Sequence, residues 1–206
     1  MEIIKINNYP IAANTYIAYD ENTNKGVIID PSFGIANAVN SVIEEGIEVS
    51  AILLTHGHFD HIAGVESVRT ALGIPVYIHA ADADMLLSAD KNHASFYGLD
   101  IATSAAENII EDGQIIDIEG LSFKVMHTPG HTKGSVCYIS GDIMFTGDTL
   151  FYMSMGRTDL EGGDYAEMMA SLKKLSELNV DYKVYPGHEQ STSLFYEKDN
   201  NPFMSV

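Results

Sequence analysis

Cysteine is nearly missing from this chain. Cys137 is the one thiol in 206 residues, so no internal disulfide framework can form. It lies in the alternating apolar stretch SVCYIS, which predicts a small buried side chain rather than a nucleophile. Basic residues are scarce as well: 11 Lys+Arg stand against 29 Asp+Glu, a net charge of −18. Such a chain repels phosphate backbones, and no local basic stripe offsets the repulsion, so nucleic acid is excluded as a partner. The acidity itself reads as a solvated surface. No apolar run approaches membrane-spanning length. The N-terminus, MEIIKINNYP, has an acidic second residue and lacks the apolar core of a secretion signal. A cytoplasmic monomer or homodimer is expected. Prolines are few, and no linker or low-complexity segment divides the chain, so one domain is expected over residues 1–206.

Short strands open the sequence: EIIKI, TYIAYD and GVIID, each closed by Asn, Asp, Gly or Pro turn signals. IANAVNSVIEEG has helical apolar spacing and a terminal Gly46. SAILLT is a continuous apolar run, as in a strand buried on both faces. IAGVESVRTALG predicts a helix and PVYIH a strand, while residues 80–112 read as helical or irregular. A strand-rich stretch follows in QIIDI, LSFKVMHT, SVCYIS and DIMFTG, and then a helix, DYAEMMASLKKLSEL, and a strand, YKVYPG. Strands precede helices in each half without strict alternation. Two mixed sheets packed together, with helices outside, fit that pattern.

The chemistry concentrates at strand exits. AILLTHGH, FKVMHTPGH and DYKVYPGH each run from an apolar strand into a turn carrying histidine, and DIMFTGDT delivers Asp148 in the same way. Rigid strand ends can aim side chains at one shared point. Within THGHFDH, His56 and His58 are two apart and face the same side of an extended loop, with Asp60 and His61 following where a helix begins. Imidazole and carboxylate are the ligands that divalent metals prefer. One cation cannot take all four groups on this backbone, whereas two cations about 3.5 to 4 Å apart can. His131, His188 and Asp148 are the candidates to complete two shells, and a carboxylate at 148 suits the bridging place. Singly, each of these has a plain structural reading: a turn histidine after Pro-Gly, a helix N-cap at Asp60, a turn aspartate in TGDT. Their joint occurrence is what points to a metal centre. Of the other histidines, His127 is expected to pack or to orient a ligand, His79 to be structural, and His93 to sit on the surface of a segment that can overhang a pocket.

THGHFDH, HTPGHT, FTGDTLF and YPGH resemble the metallo-β-lactamase superfamily. With GDTLF, GRTD and the terminal YEKDNNPF, they resemble more narrowly its short glyoxalase II-like hydrolases. The resemblance spans essentially the whole chain. It implies a four-layer αββα sandwich of two mixed sheets, an α+β arrangement with the metal site at one sheet edge. It also implies one metal on His56, His58 and His131, another on Asp60, His61 and His188, and Asp148 between them. The expected cofactors are two divalent ions, zinc foremost, with iron and manganese also suited to such donors. The expected reaction is hydrolysis of a small-molecule thioester by a water that both ions acidify, oriented by Asp60. Arg157 is one of two arginines and is read either as a receptor for a substrate carboxylate or as an ion-pair partner of Asp159 or Glu161. Phe151 and Tyr152, with Met153 and Met155, are expected near the metals as a pocket lining. Longer glyoxalase II relatives carry a further helical domain that holds glutathione. This chain ends about where it would begin, so the expected activity is hydroxyacylglutathione hydrolase-like with the thiol carrier left open between glutathione and a smaller or different thiol. Persulfide dioxygenases, which use a single iron, resemble the chain too, and lactone or β-lactam hydrolysis lies within the same hydrolase class. The branch with diiron electron transfer replaces the middle histidine by glutamate, and His58 argues against it.

Overall fold

The computed structural model describes residues 1–9, 11 and 13–204. Its first sheet has the order β1 (Glu2–Asn7), β2 (Asn14–Tyr19), β3 (Lys25–Ile29), β4 (Glu48–Leu53), β5 (Val76–His79) and β6 (Asn108–Ile110). β1, β2 and β3 pair antiparallel; β3 to β6 pair parallel. The second sheet is built from β7 (Ile115–Ile118), β8 (Leu121–His127), β9 (Val136–Ser140), β10 (Ile143–Gly147), β13 (Lys183–Pro186) and β14 (Thr192–Ser193). A hairpin of β11 (Leu150–Phe151) and β12 (Ser154–Met155) stands apart. The helices are α1 (Ala36–Glu44), α2 (Phe59–Ile62), α3 (Val65–Leu72), α4 (Tyr165–Ser176) and α5 (Leu194–Asn200).

Period-two alternation sorts the strand residues into layers. Tyr16 and Ala18 of β2 and Ala51 and Leu53 of β4 face the second sheet, meeting Phe123, Val125, Tyr138 and Phe145. Ile17 and Ile52 turn outward against Val39 and Val42 of α1 and Val65 and Val68 of α3. On the other side, Cys137 and Met144 pack beneath Met168, Leu172 and Leu175 of α4 and Leu194 of α5. Helix, sheet, sheet and helix therefore lie in four layers, as expected. The run SAILLT is buried on both faces because β4 is central in its sheet.

Three details differ from the sequence reading. The helix expected from Ile62 to Gly73 is broken between α2 and α3, where the Gly64 amide donates to Pro31 O (2.8 Å) instead of continuing the ladder. Residues 80–112 hold two 3₁₀ turns, Ala80–Leu87 and Ala94–Tyr97, and also β6, a three-residue strand registered on Tyr77–His79. The β11–β12 hairpin and α5 carry no strong periodic signal, and tertiary contacts fix them. Glu197 of α5 is fully buried, accepts from the Met153 amide (2.8 Å) and holds Asn201, whose Nδ2 donates to Ser154 O.

His79 and His127 stack between the two sheets at 4.2 Å, and the His127 ring meets Lys133 O at 2.8 Å, so His127 packs there rather than against a candidate ligand. Among the described residues, no helix is long and apolar enough to cross a membrane.

Two measurements follow. Leu172→Ala empties a fully buried site under α4 and should cost about 2–5 kcal/mol in denaturant unfolding. Burial, with His127 adding to it, lowers the His79 pKa from its ordinary 6.5. A depressed pKa means the folded chain favours the neutral ring. Its stabilisation is therefore complete above the unfolded value and is lost as pH falls through the folded one. His79→Gln should flatten the decline of Tm below pH 6.5; an unchanged slope would refute the assignment.

Candidate metal centre

β3, β4, β8, β10 and β13 all leave their sheets at the same edge. β3 and β4 run parallel, as do β10 and β13, and β8 is antiparallel to β9, which is antiparallel to β10. Beyond that edge the structure brings together all seven candidate donors. The donor atoms of His56, His58 and His131 lie within 4.8 Å of one another, and so do those of Asp60, His61 and His188. His58 Nδ1 is 2.8 Å from His131 Nε2. His188 Nε2 is 3.3 Å from Asp60 Oδ2 and 3.4 Å from His61 Nε2. Asp148 reaches both groups: Oδ2 is 3.3 Å from His131 Nε2 and 3.5 Å from His188 Nε2, and Oδ1 is 3.4 Å from His61 Nε2.

The glycines of the two Pro-Gly-His turns are dictated by this crowding. Gly130 has φ +134°, and a Cβ there would overlap the backbone of Met168 at the start of α4. A Cβ on Gly187 would overlap Asp148 Oδ1 and the His61 ring. The second turn is also tied to the first sheet. Asn14 Nδ2 donates to Pro186 O (2.9 Å) and Glu189 O (3.0 Å), and the Tyr16 hydroxyl donates to Pro186 O (2.6 Å).

Two carboxylates that the sequence reading passed over hold the donors in place. Asp30, at the end of β3 with φ +50°, accepts from the Thr55 amide (2.8 Å) and hydroxyl (2.6 Å) and meets His61 Nδ1 at 2.9 Å. That contact leaves Nε2 of His61 to face the centre. Asp82 accepts from Gly57 N (3.1 Å), Thr132 Oγ1 (2.6 Å) and Gly134 N (2.7 Å), pinning the HGH loop to the loop of His131. Burial raises the Asp82 pKa in spite of these three bonds. One available signal was that IID in GVIID is a fifth strand exit carrying a metal-type side chain, an acid as in DIMFTGDT. Asp82, within ADADM, offers no such pattern.

The electrostatics show what the donors accept. Burial, with neighbouring histidines, keeps the His56 and His58 pKa values well below the usual. At His61 burial is outweighed by Asp148, Asp60 and Asp30, which raise its pKa well above the usual. His188 is pushed up to about 10, Asp148 overcoming burial there too. Asp148 is held well below the carboxylate range, because His61, His188 and His131 outweigh burial. Asp60 is lowered, with burial overcome by His61 and His188. Carboxylates that hold a proton so firmly on neighbouring imidazoles hold a divalent cation in its place by the same attraction. His56 Nε2 and Asp148 Oδ1 are buried without any hydrogen-bond partner, which suits donors awaiting a cation. The residues present fit divalent metal.

The centre opens on a cavity of about 870 Å³, walled by Phe59, Tyr97, Phe151, Met155 and Leu160. Phe151 meets His188 edge-on at 5.9 Å. Arg157 lines the rim, but its guanidinium is paired with Asp159 through Nε (2.6 Å) and Nη2 (2.8 Å), while its carbonyl receives His131 Nδ1 at 2.7 Å. Tyr152 faces elsewhere: it lies in the turn between β11 and β12 and stacks on Tyr196 at 5.6 Å, outside the cavity lining. His93 is the opposite correction. Expected on the surface, it is 4% exposed and forms part of the cavity wall, since the 80–112 segment folds back over the site.

Fold and donor set together describe His/Asp groups that fit divalent metal at the edge of an αββα sandwich. The chain belongs to the metallo-beta-lactamase superfamily, whose family model matches residues 8–188. It is 30% identical over 210 residues to "Hydroxyacylglutathione hydrolase GloC" of Haemophilus influenzae, covering 100% of this chain and 98% of that one. The solved structure of BLEG-1, a B3 metallo-beta-lactamase, superposes with a TM-score of 0.95 at 36% identity, with both chains covered in full. TTHA1623, solved in a di-iron-bound form, matches with a TM-score of 0.86 at 35% identity, over 97% of this chain and 99% of that one.

Because Asp30 touches the far nitrogen of His61, Asp30→Asn should lower metal affinity by about 10–100-fold in chelator competition, with little change of secondary structure by circular dichroism. Affinity equal to that of the unmodified chain would remove Asp30 from the site.

Proposed function

We propose that the chain is a metal-dependent hydrolase of thioesters. One cation would sit on His56, His58 and His131, another on Asp60, His61 and His188, with Asp148 shared between them. The observation that carries the reading is the end-to-end similarity to a relative named for hydroxyacylglutathione hydrolysis, over 98% of that relative's own length. Because that relative spans the same length as this chain, the similarity supports glutathione as the thiol carrier.

When bound, two such ions supply Lewis acidity toward both the carbonyl and the attacking water. The chain's own residues do the rest. Asp60, anionic beside His61 and His188, accepts a hydrogen bond from the water at Oδ2 and turns its lone pair toward the carbonyl carbon. Asp30 and the Arg157 carbonyl keep His61 and His131 in the tautomers that face the centre. Phe59, Phe151 and Met155 exclude bulk water around the acyl group. No side-chain nucleophile is required, and Cys137 is buried under α4 with its thiol pKa pushed up to about 11 by burial.

A second reading, β-lactam hydrolysis, draws on the similarity to BLEG-1. The two separate in one assay series. Protein purified with its metal should contain two equivalents of zinc, iron or manganese. It should turn over S-lactoylglutathione or a simple thioester with a kcat/KM at least about tenfold above that for a β-lactam, and Asp60→Ala should abolish it. Fully loaded protein that cleaves β-lactams and leaves thioesters intact would overturn the thioester reading.

A further inference from the structure

His93 belongs to neither donor group, yet it is built into the site. Its ring lies 5.1 Å from that of His58 and 5.8 Å from that of Phe96, on the cavity wall. Neither Nδ1 nor Nε2 has a hydrogen-bond partner, although both are buried. Whichever tautomer the ring adopts, one N–H is left unmatched, and buried N–H groups are seldom left so.

The backbone at His93 is strained as well, with φ +68° in a residue that is not glycine. Neighbouring Asn92 enforces that geometry. Its Nδ2 donates to Met85 O (3.1 Å) and Ile101 O (2.8 Å), and its Oδ1 accepts from Ala94 N (3.0 Å). Its carbonyl accepts from Phe59 N (3.0 Å) at the start of α2, which ties the turn directly to the loop of His58 and Asp60. A strained, over-determined position whose ring lines a cavity wall and whose buried nitrogens are both unmatched is the signature of a group kept for a ligand.

We propose that His93 is a substrate-contacting residue whose imidazole N–H donates a hydrogen bond to an oxygen of the acyl group. The assignment rests on the thioester reading for the identity of the substrate, and on the His56, His58 and His131 group for where the acyl group lies. His58 is a member of that group, so a carbonyl held over it is within one ring's breadth of His93. There the N–H would meet negative charge as it develops on oxygen.

The test compares metal-loaded wild type, His93→Ala and His93→Gln. With S-lactoylglutathione, His93→Ala should lose on the order of a hundredfold in kcat with a much smaller change in KM. His93→Gln, which keeps an N–H, should recover part of the loss. A second readout needs no turnover: calorimetric binding of lactate and of acetate, acids carrying oxygens where the carbonyl stood. His93→Ala should weaken lactate by about tenfold at equal metal content and equal Tm. Weakening of both acids places the contacted oxygen at the carbonyl, and weakening of lactate alone places it on the adjacent hydroxyl. A wild type that binds lactate in a His93-dependent way but cleaves no thioester overturns the thioester reading and supports the contact. Equal kcat and indistinguishable binding in all three proteins, absence of binding included, overturn the contact. So does a loss that comes with lost metal or that glutamine does not recover, because it would assign His93 to packing against His58.

Discussion

Asp148 is a carboxylate buried among three imidazoles, and everything near the sheet edge is arranged around it. An unpaired buried carboxylate is costly, and the cost is met only by positive charge at hydrogen-bonding range. His61 and His188 provide that charge as imidazolium groups, and a divalent cation provides more of it from the same place. The centre therefore has two ways of neutralising itself, by protons or by metal, that compete for the same nitrogen and oxygen lone pairs. Nothing in the hydrophobic layers requires this cluster. They are complete without it, with Tyr16, Phe123, Tyr138 and Phe145 closing the space between the sheets.

Geometry decides that the competition can occur at all. Five strands end at one edge because the two sheets present them in one direction, and beyond their ends lie Asp30, the HGH loop, His131, Asp148 and His188. The two Pro-Gly-His turns then need glycine for different reasons, one to pass the backbone of α4 and the other to let the chain approach Asp148 itself. Asp82 joins the HGH loop to the His131 loop across more than fifty residues of sequence, so the first histidine group is set by a carboxylate that need not touch a metal.

The layers were legible in the sequence because burial has a period: alternation in TYIAYD and LSFKVMHT, an unbroken apolar run in SAILLT, helical spacing in DYAEMMASLKKLSEL. The seven candidate donors were legible for a different reason: His56, His58, His131, Asp148 and His188 lie in turns beyond such strands, and Asp60 and His61 complete the THGHFDH run at the start of α2. Where neither signal exists, reading failed. β6 has three residues, too few for alternation to register. Asp82 is a lone acid in a 3₁₀ turn, with nothing local to separate it from the solvated Asp84 beside it. His93 looked like a surface histidine because its burial comes from Asn92 reaching Met85, Ile101 and Phe59, contacts made by folding and invisible in KNHASFYG.

Arg157 shows how one residue divides between these levels. Its carbonyl takes the Nδ1 side of His131 and so helps to orient a donor, a duty that no property of the arginine side chain predicts. Its guanidinium, the feature that drew attention in GRTD, is spent on Asp159 in a bidentate pair at the rim. An exposed pair of this kind holds little free energy, so a substrate carboxylate that displaced Asp159 would gain only the difference between two similar contacts. On the proposed thioester function, selectivity for the acyl group then falls to the apolar wall and to the few unmatched polar atoms in it. The carrier end of the substrate would lie toward the rim, where contacts are weaker and a range of thiols would be accommodated.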